Sequence, residues 1–182
     1  VGGADRQANV LRRVVEMSGY GKTELPEGSA IGIATTFGQS RTMPTWIGGA
    51  VQLAVDRESG AVKVDRIWLA VDCGVVVDPD GAEAQCVGAA LWGLSMALHE
   101  GTAFENGQVR DVNLDTYTPL RLEDTPRVEV DFVESTEVPV GLGEPATTVI
   151  APAIANAIEE AVGVRIRNLP ITADAVLAAL SD

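Results

Sequence analysis

The chain is short of the residues on which several kinds of chemistry depend. It has one histidine, His99, in 182 residues, so a Ser-His-Asp or Cys-His nucleophile system would have to pass through that side chain. His99 closes an apolar helical stretch, where an imidazole is ordinarily a capping or surface group. Two cysteines, Cys73 and Cys86, are too few for the disulfide framework of a small secreted domain, and their spacing fits no zinc or iron–sulfur site. Reduced, buried thiols are the expectation; they favour a cytoplasmic over an oxidising compartment without fixing the localisation. Basic side chains number 13 against 26 acidic ones, a formal net charge of −13, and no Lys/Arg block could track a phosphate backbone, which argues against nucleic acid. Apolar runs are short as well. Ala89 to Leu98 is interrupted by Gly93 and closed by His99-Glu100, well below the length of a membrane span. The Gly-Lys-Ser/Thr of a P-loop is missing. At Val1-Gly2-Gly3 there is neither an initiating Met nor a signal-peptide pattern, which reads as a fragment or a processed product.

What is present suits one domain over residues 1–182, divisible into sub-lobes at 1–77 and 78–182: the apolar fraction is 46 %, enough for a substantial core. The acids are dispersed as a solvated surface rather than gathered in a tail. Val10, Val14 and Met17 recur at helical spacing and predict a helix over Ala8 to Met17. Strands are predicted for Ala30 to Phe37, Trp46 to Val55 and, beyond the hairpin chemistry of Asp56 to Gly60, Val62 to Val71 with one slip of phase. These three should pair antiparallel. Asp78-Pro79-Asp80 announces a helix to about Leu98, whose small residues would let a backbone or ligand come close. Asn106-Gly107 makes a tight hairpin of Thr102 to Phe104 with Val109. Asn113 to Pro126 reads as a structured loop, and Val128, Val130, Phe132 and Ser135 alternate as a half-exposed strand. A helix over Thr148 to Val162, a stop at Gly163, an extended stretch and a helix over Thr172 to Leu180 complete an α+β chain with an antiparallel or mixed sheet and packed helices.

The stretch Val140-Gly141-Leu142-Gly143-Glu144-Pro145 sets one carboxylate in a glycine turn before a helix start. Glycine lets a backbone approach a ligand closely, and the outward amides of a helix start carry partial positive charge. Glu144 can therefore be held firmly while facing a cavity, although an acid at this place is also ordinary helix-start chemistry. Gln85, inside the predicted second helix beside small residues, is a surface amide or a donor and acceptor for a heterocyclic ligand. A two-carboxylate hydrolase would need a second acid at a fixed separation from Glu144.

Taken in order, Ala70-Val71-Asp72-Cys73-Gly74, Val77-Asp78-Pro79, Gln85 to Leu98, Tyr117 to Arg121, Gly141 to Pro145, Ala151 to Ala157 and Arg165 to Pro170 resemble a known pattern. It is that of the C-terminal part of the molybdopterin-binding subunit in the xanthine dehydrogenase and aldehyde oxidoreductase family, closest to the isoquinoline 1-oxidoreductase β-subunit type. The resemblance runs from about Val10 to Ile171. It implies an oxidoreductase that hydroxylates an aldehyde or N-heterocycle with oxygen from water, Glu144 acting as base toward a molybdenum-bound hydroxyl, with the carboxylate partly buried. It also implies cofactor contacts at Gln85, Gly88 and Gly143. Where relatives tend to read Gln-x-Glu-Gly-Gly, this chain has Gln85-Cys86-Val87-Gly88-Ala89. The implied cofactor is molybdenum with molybdopterin in its cytosine dinucleotide form, held mostly by residues outside this chain, and no metal ligand is assigned within it. The implied partners are the remaining molybdenum-binding region, as part of the same protein or as a second chain, and a small subunit carrying [2Fe–2S] clusters. Alone, the chain is expected to be inactive. The alternative is a non-catalytic interaction or scaffold domain whose Gly-Glu-Pro loop shapes a turn; a buried Glu144 facing a cavity favours the enzyme, a solvated Glu144 the scaffold.

Overall fold

The computed structural model describes residues 4–38 and 44–181. β-Branched residues recur in three runs that are all extended: β1 (Ser29–Gly38), β2 (Thr45–Val55) and β3 (Val62–Asp72). Such side chains are stiff at χ1 and fit a pleated surface. The strands pair antiparallel in chain order, as the sequence predicts. The β2–β3 turn is closed by the Asp56 carboxylate, which accepts the backbone N–H groups of Glu58 and Ser59 at 2.8 and 2.9 Å. The slip of phase in the third strand is a β-bulge: Gln52 faces Arg66 and Leu53 faces Val64, leaving Asp65 as the extra residue.

Alternation sends neighbouring side chains to opposite faces of the sheet. On one face Val10 and Val14 of α1 (Ala4–Ser18) meet Ile31, Trp46, Ala50, Trp68 and Ala70. The helix starts a turn earlier than its apolar spacing predicts because Arg6, in the added turn, is tied to the end of β3. The other face carries Ile47, Val51, Leu53, Ile67, Leu69 and Val71. These pack under α2 (Pro79–Leu98), α3 (Thr147–Val162) and Val176 of α4 (Ala173–Ser181).

Chain order breaks at the fourth strand. After α2 come a two-residue-strand hairpin, β4 (Phe104–Glu105) with β5 (Gln108–Val109), and a 3₁₀ turn at Leu122–Asp124. β6 (Arg127–Phe132) then lies beside β3 and runs parallel to it, giving a mixed sheet of order β1-β2-β3-β6. A parallel neighbour requires a long crossover, here the excursion 73–126. β6 ends at Phe132 rather than continuing to Ser135, because the chain then turns back across the end of β3: Val75 N–H donates to Glu137 O at 3.0 Å and Val140 N–H to Cys73 O at 2.9 Å.

α3 is seated on β1 at backbone contact. A Cβ on Gly32 would lie 2.1 Å from Ala153 O and 2.4 Å from Ala157 N, while Asn156 Nδ2 donates to Ile33 O at 2.8 Å. Gly32→Ala is therefore expected to push the helix off the strand and lower the unfolding free energy by about 2 kcal/mol, within the overpacking range. A urea midpoint unchanged from that of the parent would show that α3 does not need this approach.

Candidate functional site

The Glu144 loop is held from several elements at once. On its N-terminal side Val140 is bonded to Cys73 at the end of β3, and the Thr45 hydroxyl of β2 donates to Gly141 O at 2.6 Å. On its C-terminal side Pro145 and Ala146 are buried, Thr147 N–H donates to Glu144 O at 3.0 Å, and Thr147 Oγ1 donates to Ala89 O of α2 at 3.1 Å. Thr148 Oγ1 adds a bond to Pro145 O at 2.7 Å. The backbone around Glu144 is thus tied to β2, β3 and α2, and its last turn opens α3. The side chain is exposed on this chain. That departs from the partial burial expected of it: the loop lies on the surface formed by its own neighbours.

Of the other sequence-predicted residues, Gln85 and Gly143 are brought together. A Cβ on Gly143 would sit 2.9 Å from Gln85 Oε1, so the missing side chain leaves room for the amide against the loop. Gly88 lies one turn further along α2. It is exposed, and a Cβ there would meet nothing within 4 Å, whereas Ala89, Ala90 and Gly93 on the opposite face are buried. The small residues of α2 therefore serve two purposes: one set admits α3, and Gly88 leaves the outer face open. A cleft of about 210 Å³ runs beside Gln85, lined also by Cys73, Val76, Asp78, Val140 and Leu142. Both thiols are buried, and burial, with Cys73 and Glu83 nearby, pushes the Cys86 thiol up to about 12. At neutral pH it is an unreactive apolar filler. His99 caps α2, its N–H on Ser95 O at 2.9 Å, in keeping with the structural role foreseen for it.

Sequence reasoning missed the tethers. Thr45 and Arg6 lie just outside the strand Trp46 to Val55 and the helix Ala8 to Met17 that the sequence predicts, and no motif singles them out. In the structure Arg6 grips Asp72 through Nε at 2.7 Å and a terminal nitrogen at 2.5 Å, pinning α1 to the end of β3. This pair helps line a cleft of about 790 Å³, together with Val133, Glu134 and Glu137. The Tyr117 to Arg121 motif is also structural: the Tyr117 hydroxyl donates to Glu100, and Leu120 N–H donates to Ser95 Oγ at 2.9 Å.

Residues 12–126 match the model of the molybdopterin cofactor-binding domain. The chain belongs to that family. Gln85 and Gly88 fall inside the matched stretch; Gly143 and Glu144 lie beyond it. Over its whole length this molybdopterin-binding chain is 56 % identical to a membrane-bound aldehyde dehydrogenase [pyrroloquinoline-quinone] of Gluconacetobacter polyoxogenes, of which it covers 24 %. Over 91 % of its length it is 31 % identical to isoquinoline 1-oxidoreductase subunit beta of Brevundimonas diminuta, covering 21 % of that protein. The chain thus spans about a quarter or less of the curated relatives it matches. Its fold is similar to part of the aldehyde oxidoreductase from Desulfovibrio gigas, with a TM-score of 0.69 and 27 % identity over 76 % of this chain and 16 % of the other. The residues present fit contact with the edge of a pterin: an exposed amide at Gln85 and an open helix surface at Gly88. Among the described residues there is no group of three or more His, Cys, Asp or Glu side chains that could hold a metal ion. Among the same residues no helix is long and apolar enough to cross a membrane.

Proposed function

We propose that this chain forms one wall of the active site of a molybdenum hydroxylase that oxidises an aldehyde or an N-heterocycle with oxygen from water. The observation that carries the reading is the meeting of the Glu144 loop with the Gln85–Gly88 face of α2, in a chain of the molybdopterin-binding family. When bound, the molybdenum–pterin takes up the electron pair released by the substrate carbon. The chain's own part is positional and protonic. Gln85 can donate and accept hydrogen bonds with the pterin dinucleotide, Gly88 lets that group approach α2, and Gly143 leaves space for the Gln85 amide. Glu144 accepts, at a carboxylate oxygen, the proton that the water-derived oxygen loses on its way to the carbon. The remaining molybdenum-binding region covers this surface and excludes water from Glu144. A small subunit with [2Fe–2S] clusters carries the electrons away, and the pterin is in its cytosine dinucleotide form.

The exposure of Glu144 favours the alternative, an interaction domain with no catalytic group. Against it stand the exposed Gln85 amide, which meets the loop at Gly143 next in sequence to Glu144, and the open glycine one turn further along the same helix. The Gluconacetobacter relative is named for pyrroloquinoline quinone, so cofactor identity is the measurement that tests the reading. Full-length protein should contain stoichiometric molybdenum, release a cytosine nucleotide on acid hydrolysis, and place ¹⁸O from labelled water in the product. Protein that turns over with bound quinone and no molybdenum would refute it.

A further inference from the structure

We propose that Thr45 is a positioning residue for Glu144, a role that rests on the proton-accepting function given to that carboxylate above. Thr45 is the first residue of β2 and is fully buried. Its hydroxyl reaches across 96 positions of sequence to donate to Gly141 O at 2.6 Å. Gly141 and Gly143 flank Leu142 immediately before Glu144, and glycines give a backbone more freedom than any other residue. A loop so composed keeps one shape only where it is tied. Val140 is bonded to Cys73 and Thr147 to Glu144 O; between these two points the Thr45 hydroxyl fixes the Gly141 peptide. Removing the hydroxyl leaves that carbonyl without its buried donor and frees the peptide to rotate.

The consequence for the reaction is geometric. A general base works within hydrogen-bond reach of the proton it takes, and a displacement of about 1 Å can cost around 10²-fold in rate. Thr45 touches none of the reacting atoms; it sets where the Glu144 carboxylate is delivered. The Thr147 hydroxyl, bonded to Ala89 O, ties the other side of the loop to the helix that carries Gln85. With Thr45 intact, the base and the amide therefore keep a fixed relation.

The test compares Thr45→Val, which keeps the shape and loses the hydroxyl, with Thr45→Ser, which keeps the hydroxyl, in the full-length enzyme. Thr45→Val should lower kcat by about 10- to 100-fold with KM and molybdenum content near those of the parent, and should speed amide exchange in a peptide spanning 140–146. Thr45→Ser should restore both. Wild-type kcat and exchange in Thr45→Val, or equal impairment in the two variants, would overturn the proposal. Glu144→Gln measured alongside separates the two ideas. If it abolishes turnover while Thr45→Val leaves kcat and exchange untouched, positioning alone fails; if Glu144→Gln turns over normally, the base assignment fails and the catalytic role of the tether falls with it.

Discussion

Glu144→Gln in the full-length enzyme is expected to lower kcat by about 10²- to 10⁴-fold, the range that a positioned general base contributes, with the fold and cofactor content unchanged. An amide has nearly the shape of a carboxylate but is not a useful proton acceptor at neutral pH. Three bonds that shape the loop are indifferent to the exchange. Gly141 O receives the Thr45 hydroxyl, Glu144 O receives the Thr147 N–H, and Thr147 Oγ1 reaches Ala89 O; the acceptors are backbone atoms. The loss should therefore appear in turnover, with molybdenum and nucleotide content as in the parent. A variant that hydroxylates substrate at near the parental rate would sink the assignment and leave the loop as ordinary helix-start structure.

The second large effect is on stability and concerns Arg6→Ala. The Arg6 guanidinium holds both carboxylate oxygens of Asp72, a side chain only 4 % exposed. Burial by itself opposes ionisation of Asp72, but the Arg6 hydrogen bonds, the Gly74 N–H and the Arg6 charge together outweigh it and hold the carboxyl below the usual carboxylate range. Removing one partner of such a pair leaves a buried charge uncompensated and costs roughly 3–5 kcal/mol. The pH dependence has a definite sign. A depressed carboxyl contributes stability that is fully present above its unfolded value, near pH 4, and is lost as pH falls through the lower folded value. In Arg6→Ala that favourable linkage is gone, so the gap between parent and variant should be widest at neutral pH and shrink in acid. Urea unfolding followed by tryptophan fluorescence at pH 7 and pH 3 reads this, since Trp46 and Trp68 lie under α1 with Val10 and Val14. A gap below about 1 kcal/mol, as for a surface pair, or one independent of pH, would show that the pair is not the pin described.

The elements were legible because their signals are local. Small and β-branched runs marked β1 and β2, spacing marked β3 with the slip that is the Asp65 bulge, and Asn106-Gly107 marked the short hairpin. The pairings were less so. Val128, Val130 and Phe132 announce a strand, yet nothing in them says that it lies parallel to β3. That is decided by where α2 and the following loop return the chain. The candidate site divides in the same way. Glu144, Gln85, Gly88 and Gly143 are named by motif and by resemblance, and the structure brings Gln85 and Gly143 into contact. Thr45 with Gly141 and Arg6 with Asp72 are joined across distances of sequence that no periodicity spans. The exposure of Glu144 was unreadable for another reason: burial belongs to a surface and whatever covers it, and most of the length of the relatives lies outside the matched region.

The parallel seating of β6 also orders events in time. β1, β2 and β3 form a meander of near neighbours along the chain, whereas β6 finds its place only after the excursion 73–126 has been closed. Closing so long a loop costs entropy before any of its contacts are made. The meander can therefore condense first, with β6 later, and the segment carrying Glu144 follows β6. The Glu144 loop then belongs to a segment assembled after the meander, which makes its tethers to the early-formed β2 and β3 the means by which a late-arriving segment inherits the rigidity of the sheet.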